Sequence, residues 1–257
     1  RAHAGDGLKD LPDRIIVGRP VEFAGARPDP ELARQRYDLM LDQWGTDVLY
    51  VYEPLGAAFS YASRLDRPAT VLIADFGGGT TDFSVVSIGE PGTARRCRPL
   101  AATGVGIAGD RFDKRIMDHV VLPLLGKGGS YRSFGKVLDI PGGDFRAFAD
   151  WSRLALMRNR RTIDELRKLQ RDALDPAPLG RMIALIEEEQ GFPLYEAVGR
   201  AKRALSTTDE TTFLFEHGEV QISATVNRSD FERWIADDLQ RIEAAMAGPK
   251  LQPTGAD

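Results

Sequence analysis

The segment Asp75-Phe76-Gly77-Gly78-Gly79-Thr80-Thr81-Asp82 constrains this chain more than any other. Thr70 to Ala74, just before it, reads as a buried apolar strand, and Phe83 to Ile88 reads as a strand returning beside it. An acid thus stands at the end of the first strand, and three glycines and two threonines form the turn. A hairpin that needs only flexibility uses fewer glycines. Without Cβ atoms the backbone can approach an anion closely, and successive N–H groups in such a turn form an anion-binding concavity. The threonine hydroxyls add donors. Asp75 can hold a divalent cation, directly or through water, because magnesium takes hard oxygen ligands and keeps several waters. No Gly-Lys-Ser/Thr follows, so this is not a Walker loop.

Around this turn the chain reads as mixed α/β. Ile15 to Val17 suits a buried strand, Gly18 to Pro28 a loop, and Asp29-Pro30 a helix start. Ala33, Tyr37, Met40, Leu41 and Trp44 follow at helical spacing up to Gly45. Val48 to Tyr52 is a second strand, and Glu53-Pro54 opens a helix with Leu55, Ala58, Phe59 and Ala62 as its apolar residues. Strand, helix, strand, helix favours an α/β layer arrangement. Asp66 to Pro68 reads as a linker. Arg98 to Thr103 adds a third strand after the turn at Gly89 to Gly92, which makes an antiparallel meander.

Further on, Gly109 to Leu125 reads as one helix with Phe112, Ile116, Val120 and Leu124 on its inner stripe. Gly126 to Phe145 is glycine-rich and expected to be irregular. Ala147 to Ser206 is helical in pattern, with breaks near Pro176, Pro178 and Gly191-Phe192-Pro193. Thr212 to Phe215 and Val220 to Val226 flank a hairpin turn at His217-Gly218. Ser229 to Glu232 matches a capping box, opening a helix with Phe231, Trp234, Ile235, Leu239, Ile242 and Met246 inward.

Composition excludes several function classes. The chain has 257 residues, 42% hydrophobic and 28% charged, which is ordinary for a globular protein with a sizeable core. A formal charge of −4 argues against nucleic-acid binding by broad phosphate neutralisation. No apolar run approaches the ~20 residues that span a bilayer as a helix. The single cysteine, Cys97, lies among Arg95, Arg96 and Arg98, and reads as an incidental thiol. His3, His119 and His217 have no zinc-ligand spacing, His119 reads as structural or exposed, and Glu187 to Glu189 as a solvated helix face.

Three further motifs carry candidate chemistry. In Tyr52-Glu53-Pro54-Leu55-Gly56-Ala57-Ala58, a carboxylate stands where a strand meets a helix. Glu53 is either a metal-shell or water-orienting group or a first-turn acid complementing the helix dipole. Thr103-Gly104-Val105-Gly106-Ile107-Ala108-Gly109-Asp110-Arg111-Phe112-Asp113 leads into a helix, and is either a turn alone or a turn presenting N–H groups to an anion. The preceding meander argues against a dinucleotide-binding βαβ unit. Arg200-Ala201-Lys202-Arg203-Ala204-Leu205-Ser206 puts Lys202 and Ser206 one helical turn apart. A guanidinium there can stack on a base, and Lys with Ser can bond a ribose; a solvated basic turn is the alternative.

The order of these four motifs resembles the nucleotide-binding domain of the 70-kDa heat-shock chaperones (DnaK-type). The glycine turn is similar to the second phosphate loop of the actin/hexokinase/heat-shock ATPase superfamily. The resemblance runs from about Ile15 to about Met246. Val17-Gly18-Arg19-Pro20-Val21, Pro123 to Gly129 and the long helical insert before Lys202 resemble the YegD-like branch. The resemblance implies an actin-like (ribonuclease H-like) α/β fold. Residues 1–65 would form a partial first lobe. Residues 69–250 would form most of the second, with core 69–125 and 227–247, an inserted cap at about 126–226, and a tail at 251–257.

The same resemblance implies site roles. Glu53, Asp75 and Thr80 would be catalytic, with Asp75 and Glu53 acting through the magnesium shell and the attacking water. Gly77, Gly78, Gly79, Thr80 and Thr81 would hold the phosphates, with Asp82 supporting the loop. Gly106, Gly109 and Asp110 would lie near phosphates and ribose, and Lys202, Arg203 and Ser206 would line the adenosine pocket. Gly199 stands where the family usually has an adenine-contacting glutamate. The family's first Asp-x-Gly-Thr phosphate turn and its closing Gly-Gly-x-Ser/Thr turn are not found, so a fragment is expected, and one that binds ATP weakly or not at all. The implied ligands are ATP or ADP with Mg2+, and the implied setting is a cytoplasmic chaperone-like ATPase switch with client proteins or co-chaperones. A non-catalytic nucleotide-binding or interaction module and a sugar kinase of the same superfamily are the rivals.

Overall fold

The computed structural model describes residues 13–25, 27–42, 45–92 and 97–248. His3, Trp44, Arg95, Arg96 and the tail at 251–257 lie outside the described residues. The chain divides into two compact units, Arg1–Gly109 with Asp238–Asp257, and Asp110–Asp237.

In the first unit, β1 (Arg14–Arg19) and β2 (Asp47–Tyr52) pair in parallel through α1 (Pro30–Asp42). Asp29 caps that helix: its carboxylate accepts from the Leu32 amide at 3.0 Å, and Pro30 takes the first helical position. The strand at Ile15 to Val17 is not buried as expected. A two-stranded sheet has one covered face, so exposure alternates along β1 and Ile16 is 66% exposed.

After β2 the chain enters α2 (Glu53–Ala62) and then an antiparallel meander of β3 (Ala69–Phe76), β4 (Thr81–Ile88) and β5 (Cys97–Val105), in the order β3-β4-β5. Ala58 and Ala62 of α2 pack with Val86 and Ile88 of the central strand, the small side chains allowing close approach. Phe59 is exposed because it lies about 100° around the helix from Ala58. β3 is an edge strand and only half-buried, contrary to the sequence reading. Val71 and Ile73 join the α2 cluster, while Leu72 and Phe76 face outward.

The second unit opens with α3 (Gly109–Ile116), a π-helical turn (Met117–Val121) and α4 (Leu122–Leu124). The expected stripe through Ile116 and Val120 is present, but the wider turn also brings Met117, Val121 and Leu122 to full burial. Residues 126–145, expected to be irregular, contain a hairpin of β6 (Ser130–Ser133) and β7 (Lys136–Asp139). Its turn is Phe134-Gly135, both with positive φ, and its strands are mostly exposed, so no hydrophobic alternation marks them. The helical stretch resolves into α5 (Gly143–Phe148), α6 (Trp151–Leu154), α7 (Arg160–Asp172), α8 (Ala177–Glu187) and α9 (Gly191–Ala204). Asn159 caps α7 by accepting from the Thr162 amide, a break the sequence reading missed. Met117, Phe148, Leu179, Met182 and Phe213 are fully buried in one core.

The final hairpin is β8 (Glu210–His217) and β9 (Val220–Asn227), turning at Gly218 with φ +54°. α10 (Arg228–Ala247) starts one residue before the expected capping box. β9 runs straight into it, and the Arg228 amide donates to the Asp209 carbonyl at 2.8 Å instead. Its buried positions are Phe231, Ile235, Asp238 and Ile242, a helical stripe that leaves Leu239 and Met246 exposed against expectation. Among the described residues no helix is long and apolar enough to cross a membrane.

Candidate functional site

The turn between β3 and β4 is closed at its base. The Gly77 amide donates to the Thr80 carbonyl at 3.0 Å, and the Gly109 amide donates to the Gly77 carbonyl at 3.2 Å. Above that closure, the amides of Gly78, Gly79 and Thr80 have no acceptor among the described residues. Gly77 and Gly78 are exposed, so three consecutive N–H groups stand at an open turn. Such a run is an anion concavity.

The hydroxyls are arranged differently. Thr81 is fully buried and its Oγ1 donates to the Ile107 carbonyl at 2.7 Å, which ties the turn to the end of β5. Thr80 Oγ1 donates to Asp82 Oδ2 at 2.9 Å. Both hydroxyl protons are thus engaged within the protein, and the donors left for an anion are backbone amides.

Asp75 and Asp82 are register partners across β3 and β4. Asp82 is 1% exposed and accepts from the Val21 amide at 2.7 Å. Burial pushes its carboxyl above the ordinary range, the hydrogen bonds from Thr80, Val21 and Glu22 oppose this, and the charge of Asp75 adds to it. Glu53, in the first turn of α2, is also held high, by partial desolvation first and then by the charges of Asp82 and Asp75. The structure therefore brings Glu53, Asp75 and Asp82 into one electrostatic neighbourhood. Glu53 also packs against β1: a Cβ on Gly18 would meet its Cγ at 3.1 Å.

The loop after β1, read from sequence only as a connection, forms part of this site. Val21 to Ala24 lies directly on the end of β5. A Cβ on Gly104 would stand 2.5 Å from Asp82 Oδ1, and one on Gly106 would stand 3.0 Å from Ala24 Cα. These glycines are required by close backbone approach. No local signal marks this contact, because Val21 and Asp82 are 61 residues apart.

The second unit holds the remaining candidates. Lys202, near the end of α9, forms an ion pair with Asp113 of α3 at 2.8 Å, with both side chains mostly buried. Burial raises the Asp113 carboxyl, and Lys202 opposes the rise. Asp113 lies in the third motif, and the sequence reading gave it no role; its place about one helical turn after Asp110 was the only sequence signal. Arg203 and Ser206 are exposed, as is Asp110. The Arg203 guanidinium lies over Gly199, where an added Cβ would stand 3.3 Å from it. His119 stacks on Trp234 at 4.5 Å, and burial lowers its pKa. Cys97 lies near the Ala58 carbonyl, with Sγ at 4.0 Å.

Comparison with known proteins bears on the same stretch. A family model described as Hsp70 protein matches residues 45–127, from the start of β2 through the glycine turn to the segment after α4. The cell shape-determining protein Mbl of Bacillus subtilis (strain 168) is 32% identical over 76 residues, 30% of this chain and 20% of that protein. The chloroplastic stromal 70 kDa heat shock-related protein of Spinacia oleracea is 39% identical over 75 residues, 29% of this chain and 12% of that protein. These partial matches support similarity to the actin/Hsp70 ATPase superfamily. The chain spans a fifth or less of the length of these relatives.

No group of three or more His, Cys, Asp or Glu among the described residues can hold a metal ion on protein ligands alone. A magnesium ion of the phosphate-bound kind uses one or two carboxylates and several waters. Asp75 and Glu53 would offer that donor set, and a cation nearby would offset the charges of Asp82 and Asp75, which add to the desolvation that chiefly holds Glu53 high.

Proposed function

We propose that this chain is the nucleotide-binding part of an ATP-hydrolysing, chaperone-like switch of the 70-kDa heat-shock type, in the YegD-like branch. The observation that carries the reading is the run of unpaired amides at Gly78, Gly79 and Thr80 beside Asp75 and Glu53. The amides would take the β- and γ-phosphate oxygens. Asp82 would hold the turn to the Val21–Ala24 loop, and Thr81 would hold it to the end of β5. Glu53, its carboxyl raised chiefly by desolvation, would accept a proton from the attacking water. Asp75 would orient that water through the metal's shell. Bound Mg2+ would supply charge neutralisation for the transferring phosphoryl group. In-line attack is then accelerated by positioning and electrostatics.

On this reading residues 1–65 are part of the first lobe and 69–250 most of the second, with 126–226 as its cap. Asp110, Lys202, Arg203 and Ser206 would serve the adenosine side, Lys202 shared with Asp113. The setting is cytoplasmic, with client proteins or co-chaperones as partners.

A second reading, nucleotide binding without hydrolysis, is favoured by one observation: both threonine hydroxyls already donate within the protein. Release of labelled phosphate from ATP separates the two. The switch reading expects turnover that falls about 100-fold in Asp75→Asn. Binding of Mg-ATP with no phosphate release in the parent chain would select the second reading.

A further inference from the structure

Apart from the glycine turn, the first unit carries an open pocket of about 510 Å³ formed by α1, the loop after β1 and β2. Three rings make a continuous wall. Phe23 lies 6.2 Å from Tyr37, and Tyr37 lies 6.2 Å from Tyr50, centroid to centroid. The Tyr50 hydroxyl donates to Asp38 at 2.6 Å, which fixes that ring. A second hollow, of about 440 Å³, is also lined by Phe23 and Tyr37.

Two guanidiniums complete the lining. Arg34 lies 5.6 Å over the Tyr50 ring, and Arg19 lies 4.5 Å over the Tyr52 ring. Stacking covers one face of a guanidinium and leaves its N–H edge available for a forked contact to an acid group. Neither Arg19 nor Arg34 has a carboxylate partner among the described residues. Glu31 is the acid in the lining, and the Asp38 carboxylate is engaged by the Tyr50 hydroxyl.

We propose that this pocket binds a small anion carried on a flat ring, a phosphate or carboxylate taken by Arg34 and Arg19 with the ring against Tyr37 and its neighbours. The combination is what selects that class. Rings alone would take any apolar group, and guanidiniums alone would take any anion. A ring held by Phe23 and Tyr37 gains from offset or edge packing as well as from apolar contact. The site is separate from nucleotide hydrolysis and does not rest on it.

Titration calorimetry with phenyl phosphate and benzoate tests this, with inorganic phosphate and cyclohexyl phosphate as controls. At least one of the two ring probes should bind saturably at one site, about tenfold tighter than inorganic phosphate or more. Arg34→Gln should weaken it about tenfold, and Arg34→Lys should not restore it, because an ammonium cannot fork. Tyr37→Leu should weaken the ring probe and leave inorganic phosphate unchanged. Circular dichroism confirms that each variant is folded; Arg34 is exposed on α1 and tolerates change. The proposal is overturned if neither ring probe binds at millimolar concentration or if Arg34→Gln binds as tightly as the parent. It is equally overturned if Arg34→Gln leaves the probe bound while Asp75→Asn abolishes its binding, which would place it at the glycine turn.

Discussion

The Asp82 carboxylate accepts a hydrogen bond from the Val21 amide at 2.7 Å, across 61 residues of chain. Its other oxygen holds Thr80. One buried acid thus fastens the anion-type turn to a loop from the preceding parallel pair. It is the mechanical link between two of the chain's motifs.

Removing that link has a defined cost. Asp82→Ala leaves the part-buried Val21 amide and the Glu22 amide without their acceptor and should destabilise the fold by about 1–3 kcal/mol in urea unfolding. Asp82→Asn keeps an oxygen acceptor and should cost less than about 1 kcal/mol. The pH dependence separates the two forms. The folded-state pKa of Asp82 lies above its ordinary 3.8, chiefly through burial. Its contribution is complete below that ordinary value and is lost as pH rises through the folded pKa. The stability of the parent relative to Asp82→Asn should therefore fall as pH climbs above about 4. A flat difference across that range would show that Asp82 is not desolvated.

Glycine substitutions test the close approach. A Cβ at Gly104 meets Asp82, Glu22 and Val21 within 3.2 Å, so Gly104→Ala should cost about 1–3 kcal/mol through overpacking. Gly56, on the outer side of α2, meets nothing within 4 Å. Gly56→Ala should stabilise by about 0.4–1 kcal/mol. Thermal melts of the two variants should move in opposite directions.

What the sequence made legible follows the range of the interactions. The β3-β4-β5 meander and the β8-β9 hairpin are written locally, in apolar runs bounded by glycine turns. The depth of β3 was misjudged because its apolar residues do not reveal that it is an edge, with Leu72 and Phe76 outside. The β6-β7 hairpin was missed because its strands are exposed and Phe134-Gly135 is not a common turn pair. The glycine turn announced itself through composition. The partner of Asp82 did not, since nothing near Val21 points to it. Likewise Lys202 and Asp113 were both in view, yet their pairing depends on how α9 packs beside α3.

That ion pair gives a further expectation. Lys202→Met alone leaves Asp113 mostly buried without its counter-charge, whereas Lys202→Met with Asp113→Asn removes both charges. A double-mutant cycle should give a coupling of about 1–3 kcal/mol, with the double variant more stable than Lys202→Met. Additive effects would mean that the pair is solvent-screened.

The central claim is that the amides of Gly78, Gly79 and Thr80 receive phosphate oxygens. The most direct measurement is an amide-resolved NMR titration of this chain with Mg-ATP. The account expects the largest shifts at Gly78, Gly79 and Thr80, a smaller response at Asp75 and Glu53, and loss of the effect in Thr80→Pro, which removes one of the donors. Millimolar Mg-ATP that leaves those three amides unmoved, or that shifts residues elsewhere while they stay fixed, would contradict it.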